Sequence, residues 1–168
     1  IVSLARNIGY TPRPRQAARA TVSFFVDTSG ITPSPASLTL KKGPVAASNG
    51  SFGGQSFIFS ILSDITVPVL NGIASFDDVQ VYEGTLLTQT YTYSARIPNQ
   101  KFILPNIGVD TDLIAVSVTP TQDSITKTKY SSQDNLFDVK SNSKVYFLQE
   151  IEDERYEIFF GDGVFGKK

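Results

Sequence analysis

Val145-Tyr146-Phe147-Leu148-Gln149-Glu150-Ile151, Glu152-Asp153-Glu154 and Arg155-Tyr156-Glu157-Ile158-Phe159-Phe160 follow one another near the end of the chain. They read as two strands around a polar tip. The arms are rich in β-branched and aromatic residues, which suit a pleated, half-buried surface, and three consecutive acids suit a solvated turn. Side chains alternate across a strand, so Tyr156, Ile158 and Phe160 share one face and Arg155, Glu157 and Phe159 the other. The first face is expected to be buried. Phe159 is then left on a mostly polar face, where another segment or a partner chain can meet it.

The same β chemistry extends back through most of the chain. Strands are predicted over 21–26, 38–41, 57–62, 65–70, 73–76, 78–82, 86–94, 102–104, 113–119 and 136–139. Lys42-Gly43-Pro44 closes the second of these, and residues 47–55, rich in Gly, Ser and Asn, form a loop. Pro68 cannot donate a ladder hydrogen bond and predicts an edge position for 65–70. Asn71-Gly72 is a hairpin-turn dipeptide, and Asp77-Asp78 marks a bulge or turn. Within 86–94, Leu87, Gln89, Tyr91 and Tyr93 share a face. Only residues 1–9 carry a helical period, with Val2, Leu4, Ala5 and Ile8 on one side and Gly9 as a stop. Pro12 and Pro14 then force extended or turn geometry, and 16–20 adds a short turn or leads straight into a strand.

The expected fold class is therefore mainly β: a short N-terminal helix followed by antiparallel β sandwich or barrel-like units ending in a β-hairpin. The expected organisation is a lead-in over 1–20, a first β lobe over 21–98 and a second over 99–168, with a composition break near 95–100.

Composition narrows the chemistry. The chain has 168 residues, 40% hydrophobic and 18% charged, with a formal net charge of −1. A nucleic-acid binder usually carries a basic excess that releases phosphate counterions, and none is visible here. Arg6, Arg13, Arg15 and Arg19 do make the first 20 residues locally basic, and Arg13 and Arg15 are candidate interface residues that pair with an acidic neighbour. Cysteine and histidine are both absent. That removes disulfides, thiolate metal sites, the commonest general base and the commonest transition-metal ligand. No apolar run approaches the ~20 residues of a membrane-spanning helix. The start at Ile1-Val2-Ser3 and the end at Gly166-Lys167-Lys168 read as the bounds of a piece of a longer protein.

Three clusters carry possible chemistry. Gly161-Asp162-Gly163-Val164-Phe165-Gly166 formally fits G-x-G-x-x-G after a strand. A dinucleotide site needs a helix to begin there and a β-α-β pattern around it, and neither is predicted. The motif reads instead as a structural turn in which Gly161, Gly163 and Gly166 supply backbone freedom and Asp162 bonds turn amides. Such a turn aims Phe165, a second candidate interface residue, at the core or at a partner. Glu150, Glu152, Asp153 and Glu154 lack calcium-loop spacing and read as a solvated tip. Ser141-Asn142-Ser143-Lys144 has serine-lysine spacing but sits on no predicted helix. The expectation is no catalytic residue, no metal, no cofactor and no small-molecule substrate.

Two passages carry a resemblance. Arg6-Asn7-Ile8-Gly9-Tyr10-Thr11-Pro12 followed by Ala17-Ala18 resembles a passage near the N-terminal part of T-even-type baseplate wedge proteins. Tyr156-Glu157-Ile158-Phe159-Phe160-Gly161-Asp162-Gly163-Val164-Phe165-Gly166-Lys167 is similar to the I-x-F-G-D-G-x-x-G signature of baseplate J-like proteins of contractile phage tails. Between them, Leu38-Thr39-Leu40-Lys41-Lys42-Gly43, Val81-Tyr82-Glu83-Gly84 and Phe102-Ile103-Leu104-Pro105-Asn106 resemble further steps of that family in the same order. The resemblance implies a virion structural protein, assembled in the host bacterial cytoplasm. It would join neighbouring wedges around the tail hub and help couple baseplate rearrangement to sheath contraction. Its implied partners are other wedge and hub proteins and copies of itself, with no nucleic acid and no membrane. The family's later domains would lie beyond Lys168. A second reading is a receptor- or carbohydrate-binding β module of a tail spike or adhesin, with Tyr91 and Tyr93 as a stacking platform.

Overall fold

A computed structural model of the chain describes residues 14–48, 56–98, 100–134 and 138–167. The described residues are mainly β and divide into two units, Ala17–Thr88 and the remainder.

The first unit holds six strands: β1 (Arg19–Asp27), β2 (Ser37–Leu40), β3 (Gly43–Ala47), β4 (Ile58–Ile61), β5 (Ile65–Leu70) and β6 (Ile73–Glu83). The sheet order is β2-β5-β6-β4-β3, with β1 also on β6. β6 is the spine. Ala74 pairs with Val26 on one edge and Val69 on the other, and Tyr82 pairs with Arg19 and Ser60. β1 thus lines one edge of β6, while β4 and β5 share the other at opposite ends.

Period-two alternation along β6 builds the core. Ala74, Phe76, Val79 and Val81 are buried with Ile61, and Leu38, Leu40, Val45, Phe59, Ile65, Val67 and Val69 pack against them. The step from Phe76 to Val79 is three residues rather than two because β6 bulges opposite Ser23. Asp78 takes a positive φ there, and its amide donates to Ser23 Oγ at 3.0 Å. The bulge keeps Val79 and Val81 facing the core, so one continuous strand replaces the two expected on either side of Asp77-Asp78.

Asn71 and Gly72 both have positive φ, the requirement of the tight turn joining β5 to β6. The buried Thr28 seals this end, its amide and hydroxyl both donating to the Gly72 carbonyl at 2.7 and 2.9 Å. Pro68 needs a correction. β5 lies inside the sheet order, not at its edge. Its pairing to β6 covers only Val69 and Leu70, and the Val69 amide turns the other way, to the Ala36 carbonyl. Neighbouring amides alternate in direction, so the proline's missing donor faces the side on which the β6 ladder has already ended.

Asp64 ties the turn after β2 to the turn before β5. It accepts from the Lys42 amide at 2.8 Å and from Lys41 Nζ at 2.9 Å. The amide bond, followed by the lysine contact, holds its carboxyl below the ordinary value of 3.8. A depressed carboxylate contributes stability above its unfolded pKa and loses it as pH falls through the folded one. Asp64 should therefore titrate below pH 3.8 by carboxyl-carbon NMR. Asp64→Asn should remove the corresponding acid dependence of stability.

The second unit holds β7 (Phe102–Ile103), β8 (Val116–Val118), β9 (Thr128–Ser132), β10 (Val145–Glu150) and β11 (Tyr156–Phe160), in the order β7-β11-β10-β9-β8. β10 and β11 are antiparallel, from Tyr146↔Phe160 to Glu150↔Tyr156. Val145, Tyr146, Phe147 and Ile158 are buried. Edge-to-face rings run Tyr91–Phe102, Phe102–Phe160 and Phe160–Tyr130, with centroids 5.5–5.8 Å apart. Burial pushes the Tyr146 hydroxyl above its usual pKa, and it donates to the Ile114 carbonyl at 2.9 Å.

The expected fold class is corrected in several respects. The described residues contain no α-helix, only 3-10 turns at Thr111–Leu113 and Glu152–Glu154. The helix expected over residues 1–9 lies outside the described residues. Residues 16–18 carry no turn and lead straight into β1, because β-branched Thr21 and Val22 and the partner β6 favour extension. The second sheet is not wholly antiparallel, since β9 and β10 run parallel at Val145↔Ser131 and Tyr146↔Ser132. Residues 86–94 form no strand. Side-chain hydrogen bonds hold part of the segment instead: Gln100 brackets it through the Thr92 carbonyl and the Ser94 amide, at 2.7 and 2.8 Å, and the Tyr91 hydroxyl donates to the Ile103 carbonyl. Of the strand expected over 136–139, residues 136–137 lie outside the described residues, and 138–139 are not strand.

Candidate functional site

The loop that leaves β11 is fixed by hydrogen bonds and close backbone approach. The Asp162 carboxylate accepts from the Val164 and Phe165 amides, both at 2.8 Å, forming a turn on one side chain. The Gly163 amide donates to the Gly166 carbonyl at 3.0 Å, and Gly163 and Gly166 have φ of 94° and 86°. Gly161 has ordinary φ but a different constraint: a Cβ there would collide with the Gly166 carbonyl group and the Phe165 oxygen. The loop is also pinned from outside. Gly166 donates to the Lys140 carbonyl at 3.1 Å and Lys167 to the Ser143 carbonyl at 2.8 Å. Ser141-Asn142-Ser143-Lys144 is therefore part of this clamp, and Ser143 Oγ accepts from the Lys140 amide at 3.0 Å.

Asp162 turns inward on its own loop, and no helix follows within 161–167, so the phosphate-cradle geometry of a dinucleotide site is absent there. Two apolar side chains stand among the residues that the loop exposes. Val164 is 66% exposed and Phe165 45% exposed. On the strand before it, Phe159 is 41% exposed and stacks on Phe147 with ring centroids 5.4 Å apart. Ile158, one residue earlier, is buried, so the alternation along β11 leaves Phe159 open on one side. Gly161→Ala should cost about 1–3 kcal/mol, as overpacking against a backbone that cannot swing aside does. Denaturant melts read this directly, and a cost near zero would show that the loop is looser than its hydrogen bonds imply.

The charged candidates are paired within the chain. Arg15 Nη2 lies 3.2 Å from Glu154 Oε2, with both side chains exposed, so the cation expected to meet a neighbouring subunit already meets the acidic tip of its own hairpin. The tip's Asp153 lies 3.5 Å from Arg155, and Glu157 lies 3.3 Å from Lys101. Glu157 is no ordinary surface acid: its side chain is only 14% exposed, because β7 packs along the outer edge of β11. Asp153 and Glu154 adopt positive φ, so the tip is a 3-10 turn with left-handed residues. Exposed pairs of this kind contribute ~0–1 kcal/mol each. Arg13 lies outside the described residues. No group of His, Cys, Asp or Glu suited to a metal ion occurs among the described residues. Sequence reasoning missed the Lys140–Ser143 clamp, for which contiguous sequence carries no signal.

No protein-family model matches the chain, and no curated protein matches it.

Proposed function

We propose that this chain is a structural assembly module of a contractile-tail baseplate wedge. In that role it joins wedges around the tail hub and helps couple baseplate rearrangement to sheath contraction. The observation that carries the reading is the loop after β11. Its glycines and Asp162 are consumed in fixing the backbone, while Phe159, Val164 and Phe165 stand partly exposed beside that fixed backbone. Aromatic anchors already held in place lose little entropy on docking, which is the chemistry of a protein–protein hot spot. The resemblance of residues 156–167 to the baseplate J-like signature gives that surface its context. The proposed partners are other wedge and hub proteins and copies of this chain, and the proposed location is the virion tail baseplate after assembly in the bacterial cytoplasm. On this reading the chain acts through surfaces and carries no catalytic residue.

The test is co-purification of the full protein with other tail proteins, run beside a glycan array. Stoichiometric recovery in tail particles with no glycan binding supports the reading. Saccharide-specific binding without recovery in tails replaces it with the receptor-binding alternative. Phe159→Ala should lower the yield of assembled particles while the variant still folds.

A further inference from the structure

The second sheet, in the order β7-β11-β10-β9-β8, has two outer edges. At β7 the Ile103 carbonyl already accepts the Tyr91 hydroxyl, and Pro105 follows without an amide. At β8 the edge is open among the described residues. The Ser131 amide of β9 donates to the Lys144 carbonyl at 3.0 Å, on the side away from β8. Main-chain direction alternates along a strand, so Tyr130 and Thr128 turn to β8, and their partners Val116 and Val118 turn to β9. Ala115, Ser117 and Thr119 therefore direct their amides and carbonyls to the outer edge. Among the described residues nothing hydrogen-bonds to these three. Edge strands are ordinarily defended by charge, proline or a bulge. Residues 113–122 carry no charge, Pro120 lies just past the open stretch, and the ladder of β8 is regular.

We propose that the strand which pairs there is β8 of a second copy of this chain, antiparallel, about a two-fold axis at Ser117. The sequence Ala115-Val116-Ser117-Val118-Thr119 is close to a palindrome about that residue. Ser117 then faces Ser117, and Ala115 faces Thr119 on either side. These are the residues with open backbone groups, and they fall opposite one another as the hydrogen-bonded pairs of an antiparallel ladder require. Moving the axis to Ala115 keeps the parity but puts Ser117 opposite Leu113, the last residue of a 3-10 turn. Moving it to Thr119 puts Val118 opposite Pro120 and Ser117 opposite Thr121, where the chain bends into a loop. The Ser117 axis keeps all three pairs on extended chain.

The side-chain faces agree. Val116 sits opposite Tyr130, whose ring meets Phe160 edge-to-face, and Val118 sits opposite Thr128 on the same side. This row carries the aromatic core of the sheet to its edge and stops there, with Val116 and Val118 half-buried. Across the axis Val116 meets Val118 of the second copy, and Val118 meets Val116, so the two apolar rows become continuous. β-branched residues opposite one another suit such a joint. The joint is isologous, as two-fold interfaces are. Two short strands bury little area, so the free dimer is weak and concentration-dependent. Self-pairing through β8 does not depend on the tail assignment, and its test reads oligomeric state rather than tail content.

The chain has no cysteine, which makes single-cysteine cross-linking clean. Directly opposed hydrogen-bonded residues have Cα atoms about 5.5 Å apart, within disulfide reach. Under mild oxidation of the full chain, Ser117→Cys should give a covalent dimer. Ala115→Cys and Thr119→Cys should each stay monomeric alone and cross-link when mixed. The Ser117 side chain is exposed, so charged variants at this position keep the fold, which circular dichroism checks. In sedimentation velocity at high protein concentration, Ser117→Lys and Ser117→Asp should each be monomeric, because like charges meet on the axis. An equal mixture of the two should restore the dimer. A Ser117→Cys chain that stays monomeric, an Ala115→Cys chain that cross-links as fast alone as in the mixture, or a Lys and Asp mixture that does not dimerise would overturn the proposal.

Discussion

Phe76→Ala should destabilise the Ala17–Thr88 unit by about 3–5 kcal/mol, the range for deleting a buried aromatic ring. Phe76 is 2% exposed at the centre of β6 and stacks on Phe24 with ring centroids 5.1 Å apart. Removing it opens a hole among Ile61, Val79 and the flanking strands, and the bulge at Asp78 leaves β6 little freedom to close it. Each kcal/mol is worth about 4–8 °C in a domain of this size, so a thermal melt reads the effect easily. Phe25, the neighbour of Phe24 on the opposite face, is 68% exposed. Phe25→Ala should stay within about 0.5 kcal/mol. Equal losses for the two variants would mean that the core lies on the other face of β6.

The second large effect belongs to the C-terminal hairpin. Ile158 is 7% exposed and sits between Leu148 on β10 and Phe102 on β7. Ile158→Ala should cost about 2–5 kcal/mol. Glu157, its side chain mostly buried and paired with the solvated Lys101, should cost about 1 kcal/mol or less as Glu157→Ala, because Lys101 keeps its hydration when the pair is broken. Denaturant melts of the two variants separate the faces of β11. A Glu157→Ala loss matching that of Ile158→Ala would invert them.

What the sequence made legible was chemistry that acts within a few residues. Asn71-Gly72 announces its turn because both positions need positive φ, and the arms of β10 and β11 announce their pairing because the acids between them cannot continue a ladder. β3 was hidden because Gly43-Pro44, which read as a stop, starts a strand: Gly43 takes a φ of 117° and Pro44 pairs with Ser60. Residues 86–94 alternate as a strand would, yet they find hydrogen bonds through Gln100 and Tyr91 rather than a neighbouring strand. β9 carries Thr128-Lys129-Tyr130-Ser131-Ser132, too polar for a clear period, and its parallel pairing with β10 leaves no turn signal to read. In the candidate site, the roles of Gly161, Asp162 and Gly163 followed from residue type. The pairing of Arg15 with Glu154 did not, since it joins the two ends of the sequence.

The most direct measurement of the proposed role is an electron-microscopy reconstruction of an intact contractile tail that carries the full protein. A wedge module should appear in the ring around the hub, with Phe159 and Phe165 against a neighbouring subunit. A tail without this chain, or one in which both phenylalanines face solvent before and after contraction, would contradict it.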